Sequence, residues 1–150
     1  MRLTCARFRK EDGFSLVELL VVVQVIGVLA AIALPTFLGE QKKSQDAEAK
    51  SAARNVVSAV ESCYTENNDY AQCDTQAELA DVDAKPGVEL TDAIAKKQGA
   101  VSITGTDDAY TIVGYSRTGN TFAIAKASDS STTRACTTAS EGGCPDDGTW

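Results

Sequence analysis

The stretch GFSLVELLVVVQVIGVLAAIALPTFLGE (residues 13–40) decides the fold. From Leu19 to Leu34 its only clearly polar side chain is Gln24. Such a run is too long and too uniformly apolar for an ordinary amphipathic core helix. With its flanks it reaches the roughly 20 residues needed to span hydrocarbon. Glu18 lies near its start, where an ionised carboxylate costs roughly 2.5–3.5 kcal/mol if it sits centrally in a bilayer. A partner for that charge is therefore expected.

Working outward, the head of the chain is basic: Arg2, Arg7, Arg9 and Lys10 stand against Glu11 and Asp12. The whole chain is acidic, with a formal net charge of -7 over 150 residues. A basic head, an apolar run and an acidic body predict a cytoplasmic N-terminus and an exported remainder. The acidic body argues against direct nucleic-acid binding through a basic face. Histidine is absent, which removes the commonest general base and imidazole metal ligands. No Gly-rich phosphate loop follows a strand. The expectation is a non-enzymatic protein with no cofactor and no metal centre.

Beyond the apolar run, Ala49, Ala52, Ala53, Val56, Val60, Cys63 and Tyr64 recur at helical spacing. No Gly or Pro interrupts residues 40–66. One helix over residues 14–67 is predicted, apolar all round in its first half and striped in its second. Pro35 lacks a backbone donor and is expected to bend this helix, not to end it. ENNDY (residues 66–70) is a helix stop. Thr75-Gln76-Ala77-Glu78 fits a capping box, predicting a short helix near residues 76–81.

Residues 100–104, 110–116 and 121–127 alternate as strands, separated by turn sequences at residues 105–108 and 117–120. They predict a small antiparallel meander of three or four strands, with one face on the striped helix. From Ser128 the chain is polar and is expected to form a surface loop stapled by cysteines.

Cys5 lies in the basic head, whereas Cys63, Cys73, Cys136 and Cys144 lie beyond the apolar run. An even outer set reads as a disulfide framework, since the spacings lack the tight pairs of a zinc site. Three pairings are open. The local pairs Cys63–Cys73 and Cys136–Cys144 are expected, and Cys63–Cys144 with Cys73–Cys136 is the competing set. Asp107-Asp108 and Asp146-Asp147 are better read as solvated turn carboxylates than as a calcium site.

Gly13-Phe14-Ser15-Leu16-Val17-Glu18, preceded by Arg7, Arg9 and Lys10 and followed by the apolar helix, resembles the processing site of type IV prepilins and type II secretion pseudopilins. The resemblance is close over residues 1–40 and holds only in outline beyond them. It implies three segments: a cleaved leader (1–13), a membrane and assembly helix (14–38) and an extracytoplasmic headgroup (39–150). It implies cleavage after Gly13 by a prepilin peptidase and N-methylation of Phe14. The Phe14 amine of one subunit would meet Glu18 of its neighbour, a buried pair suited to fixing register. Pro35 matches the family's helix-bending proline, and Gly27, four residues before Ala31, offers a small surface for close helix approach.

The implied function is a structural subunit of a type IV pilus-like filament. It would assemble with itself after residence in the inner membrane. An inner-membrane platform protein and an assembly ATPase would assist it. The alternatives are a pseudopilin of a secretion or DNA-uptake system, or a membrane-anchored extracellular binding module. An ordinary signal peptide with cleavage near Ala30–Ala33 is disfavoured by Glu18 and Gln24 within the apolar run.

Overall fold

One helix, α1, carries Leu16–Asn67, 52 residues, in the computed structural model, which describes residues 13–150. The basic head with Cys5, Arg7, Arg9 and Lys10 lies outside the described residues. The helix begins two residues later than the periodicity suggests, and the reason is local. Ser15 is its N-cap: the carbonyl accepts from Leu19 at 3.2 Å and the hydroxyl accepts from the Val17 amide at 3.4 Å. Glu18 reaches back to accept from the Ser15 amide at 2.9 Å. The Glu18 carboxylate thus supplies the acid half of a capping box from three residues into the helix, while the Ser15 hydroxyl takes the Val17 amide and not that of Glu18.

The chain divides into two compact units that part between Phe37 and Leu38. In the first, the large apolar side chains from Phe14 onward are 50% to 85% exposed. Pro35 lies inside α1. Beside it, the Thr36 hydroxyl lies within hydrogen-bonding distance of the Ile32 and Ala33 carbonyls, at 3.2 and 3.0 Å.

The second unit has its own core. The C-terminal part of α1 buries Asp46, Ala49, Ala53, Val56, Ala59, Val60 and Cys63. After Asn67 come a single 3-10 turn, Tyr70–Gln72, and a short helix α2, Gln76–Asp81. The turn is capped by Asp69, whose side chain accepts from the Ala71 amide. Helix α2 carries the full capping box between Thr75 and Glu78 and buries Leu79.

Four antiparallel strands follow in simple meander order: β1 (Val101–Gly105), β2 (Tyr110–Tyr115), β3 (Thr121–Lys126) and β4 (Thr132–Cys136). The register sets Ile103, Ile112, Ile124 and Arg134 side by side across the sheet. The first three are buried, with Val56, Val60 and Leu79 in the same cluster. At Gly114 the backbones of α1 and β2 come close together. A Cβ there would stand 2.5 Å from the Ala49 carbonyl oxygen, so a side chain would force helix and sheet apart.

Strand β4 corrects the reading of the polar tail as loop alone. Its opening turn is built by Asp129, which accepts from the Ser131 amide, and by Ala127 donating to Ser131 at 2.9 Å. That hairpin lays Thr132–Cys136 against β3 although the segment is almost entirely exposed. Threonine's branched side chain suits such an extended edge. Only the part after β4 is the stapled loop.

Candidate functional site

The first unit holds the residues singled out for processing and assembly. Phe14 is 85% exposed. Phe14, Glu18, Leu19 and Val22 line one shallow hollow of about 260 Å³. Within the chain, the Ser15 amide meets the Glu18 carboxylate, and the positive end of the helix dipole favours that position. Gly27 faces open space, with nothing within 4 Å of where a Cβ would stand. The groups this constellation presents are apolar surface and one carboxylate.

The second unit is held by two polar latches. Asp46, fully buried on α1, accepts from the Thr118 hydroxyl at 2.6 Å, the Gly143 amide at 2.7 Å and the Asn120 side-chain amide at 3.0 Å. Burial pushes its carboxyl up. Hydrogen bonds from Ser116, Thr118, the Gly143 amide and Asn120 outweigh that and hold it below its ordinary value of 3.8. Gly142, at φ +59°, makes this approach possible, since a Cβ there would lie 2.2 Å from an Asp46 carboxylate oxygen. Lys50, one turn along α1, donates to the Gly143 carbonyl. Together they tie α1 to the β2–β3 turn and to the C-terminal loop.

The other latch centres on Glu61. It accepts from Tyr70 at 2.9 Å, Tyr110 at 3.0 Å and Lys126 at 2.9 Å. Burial raises the Glu61 carboxyl, but Lys126 and the two phenols hold it below its ordinary value of 4.5. The same contacts raise Lys126, through Tyr70 and Glu61, so its charge is secure. Tyr64 stacks on Tyr70 with ring centroids 4.0 Å apart, and Tyr110 meets Tyr70 edge-on at 5.0 Å.

Cys63 is bonded to Cys73, closing the end of α1 onto the 3-10 turn, and Cys136 to Cys144, closing the loop that delivers Gly143 to Asp46. Trp150 packs on Phe122 at 5.7 Å and donates to the Ala135 carbonyl. Asp146 accepts from Ser140 and Asp147 from Thr149, so both carboxylates serve local turns. Among the described residues no group of three or more acidic, cysteine or histidine side chains is placed to hold a metal ion.

Both latches escaped the sequence reading, yet signals existed. The buried stripe at 49, 53, 56, 60 and 63 extends back by three to Asp46. Lys126 follows Phe122 and Ile124 by alternation onto the helix-facing side of β3. Nothing local points to Gly143 as the donor that meets Asp46.

Residues 8–34 match the family profile described as the prokaryotic N-terminal methylation motif. The chain is 42% identical over 67 residues to the type IV major pilin protein PilA of Myxococcus xanthus, covering 44% of this chain and 30% of that protein. It is 34% identical over 96 residues to the type IV major fimbrial protein FimA of Dichelobacter nodosus, covering 62% of this chain and 61% of that one. It is 31% identical over 109 residues to a fimbrial protein of Pseudomonas aeruginosa, covering 65% of this chain and 69% of the relative. The chain thus spans less than two thirds of the length of the first two relatives. No solved structure matches it significantly. The profile match at the head of α1 and the similarity to the Pseudomonas aeruginosa protein over most of its length establish that this chain belongs to the type IV pilin family.

Proposed function

We propose that this chain is a structural, non-enzymatic subunit of a type IV pilus-like filament, and that assembly covers the apolar half of α1 with other copies of the same half. One observation carries the reading: the large apolar side chains of residues 14–38 are at least 50% exposed, and no other part of the described chain covers them. Leaving each such side chain in water costs about 1.5–3 kcal/mol, so the segment needs lipid or its own kind around it. Before assembly the segment spans the inner membrane with the head in the cytoplasm. Residues 1–13 are the leader, 14–38 the membrane and assembly segment, and 39–150 the headgroup.

A prepilin peptidase cuts after Gly13 and methylates the new Phe14 amine. That amine then meets Glu18 of an adjacent subunit, replacing the Ser15 amide as the carboxylate's strongest partner. Gly27 permits close helix approach, and Pro35 relaxes the helix where the bundle ends. An inner-membrane platform protein and a cytoplasmic ATPase supply the work of extraction from lipid. Electron microscopy of sheared surface material, with intact-mass and N-terminal peptide analysis of its subunit, tests this. Filaments whose subunit starts at Phe14 with one added methyl group are expected. A subunit starting near Ala31 or Leu34, without filaments, would overturn the reading.

A further inference from the structure

Three of the chain's four tyrosines, Tyr64, Tyr70 and Tyr110, gather where the end of α1 meets the 3-10 turn and β2. Tyr64 and Tyr70 lie face to face, with ring centroids 4.0 Å apart and planes 18° from parallel. Tyr110 meets Tyr70 at 73°, so the faces of these two rings do not meet. Tyr115 is held elsewhere, by Ser102 at 3.0 Å and the Ala93 carbonyl at 3.4 Å.

The polar groups around Tyr70 form a path for its proton. Its phenol donates to Glu61 Oε2 at 2.9 Å and accepts from Lys126 Nζ at 2.6 Å. The oxygen therefore has a proton acceptor on one side and a fixed donor on the other. Ionisation to tyrosinate is disfavoured, because Tyr70 is 1% exposed and burial raises its phenol. Loss of an electron together with transfer of the proton to Glu61 avoids that charge. It leaves a neutral phenoxyl beside a neutral carboxylic acid, with Lys126 still donating to the phenoxyl oxygen. Tyr64 is only partly buried, so its ring is the member of the stacked pair that meets an oxidant in solvent.

We propose that Tyr64 and Tyr70 form an oxidative modification site, at which two equivalents of a one-electron oxidant, such as a peroxide-derived radical, join the rings as dityrosine. The first equivalent takes an electron from Tyr64. Tyr70 refills it through the stack and passes its phenol proton to Glu61. The second equivalent oxidises Tyr64 again, and this phenol releases its proton to water. The two phenoxyl radicals couple through carbons ortho to their oxygens, and the two ring hydrogens at those carbons move to the oxygens as the rings regain aromaticity. One C–C bond forms, two electrons go to the oxidant, and two protons leave, one by way of Glu61. The link spans the junction that Cys63–Cys73 also ties, between the end of α1 and the 3-10 turn, and reductants cannot open it. The reaction needs the headgroup fold alone and is independent of the filament reading.

Photo-oxidation of the purified full chain in detergent, with a ruthenium trisbipyridyl complex and persulfate, tests the site. The disulfides are then reduced, and a protease that cuts after glutamate separates Tyr64 from Tyr70 at Glu66. The expected product is a single chain whose Tyr64 and Tyr70 peptides are joined with the loss of two hydrogen atoms and show dityrosine fluorescence. Tyr64→Phe should abolish it. Glu61→Gln keeps an oxygen acceptor for the Tyr70 phenol but takes no proton, and should slow linkage roughly tenfold with near-ultraviolet circular dichroism unchanged. The wild-type map decides the site by itself, whatever the fold of the variants. Tyrosine loss without a Tyr64–Tyr70 link, a Tyr70–Tyr110 link in equal yield, or wild-type linkage rates in a folded Glu61→Gln chain would each overturn the proposal.

Discussion

Glu18 and Asp46 are carboxylates on the same helix, and their surroundings differ in almost every respect. Glu18 has one backbone amide from its own helix start and apolar neighbours that nothing in the described chain covers. Asp46 is fully buried, with donors from the β2–β3 turn and from the C-terminal loop. A buried charge is tolerable when its hydrogen-bonding capacity is filled, and costly otherwise. Asp46 is therefore complete within one chain, whereas Glu18 sits in a segment whose surface calls for other molecules. On the proposed reading, the difference separates folding from assembly. The second half of α1 is specified by its own headgroup, and the first half by whatever surrounds it.

If that division is right, the strongest internal perturbation acts at Asp46 and leaves the first half untouched. Asp46→Leu strands buried donors of Thr118, Asn120 and Gly143 and should cost about 3–5 kcal/mol of headgroup stability, read by denaturant unfolding in detergent. The same carboxylate gives the stability a pH dependence. Its folded pKa is depressed, so its contribution is present above the ordinary value of 3.8 and is lost as pH falls through the lower folded value. Glu61 adds in the same direction below its ordinary 4.5. Acid unfolding should therefore set in below about pH 4, and the wild-type advantage over Asp46→Asn should shrink there.

A smaller effect is expected from opening the loop that carries Gly143. Replacing Cys136 and Cys144 together by Ser frees a loop of about nine residues, worth roughly 2–3 kcal/mol by chain entropy, and loosens the Asp46 latch with it. Amide exchange at Gly143 should then quicken while α2 stays protected. The smallest change is Thr75→Ala, which removes the side-chain half of the α2 capping box and should cost about 1 kcal/mol. It sharpens the comparison because it tests an ordinary helix cap, the only role Glu18 has within one chain.

The helix, the α2 box and three of the four strands were legible because each is written in local spacing. The stripe at 49, 53, 56, 60 and 63 needs only the helical period, and Tyr110, Ile112 and Gly114 need only alternation. β4 was not legible, because Thr132–Cys136 has no apolar face: it is a strand through its pairing with β3 and the Asp129 turn. The latches were half legible. Position alone places Asp46 and Lys126 inward, but their partners at Gly143 and Glu61 are 97 and 65 residues away in sequence. The N-terminal methylation motif is legible for the opposite reason: its residues, Gly13, Phe14 and Glu18 among them, lie close together in the chain.

The central claim is that Glu18 acts between subunits through its charge and not within one chain as a cap. Glu18→Gln separates the two roles, because glutamine keeps the capping hydrogen bond to the Ser15 amide and loses the charge. The measurement is the sheared-filament fraction beside the membrane fraction, for wild type, Glu18→Gln and Glu18→Val. Membrane levels should be preserved in both variants, since removing a carboxylate only improves the apolar segment. Filaments should be lost in both. Normal filaments from Glu18→Gln, with loss confined to Glu18→Val, would show that the cap is what matters and would contradict the account.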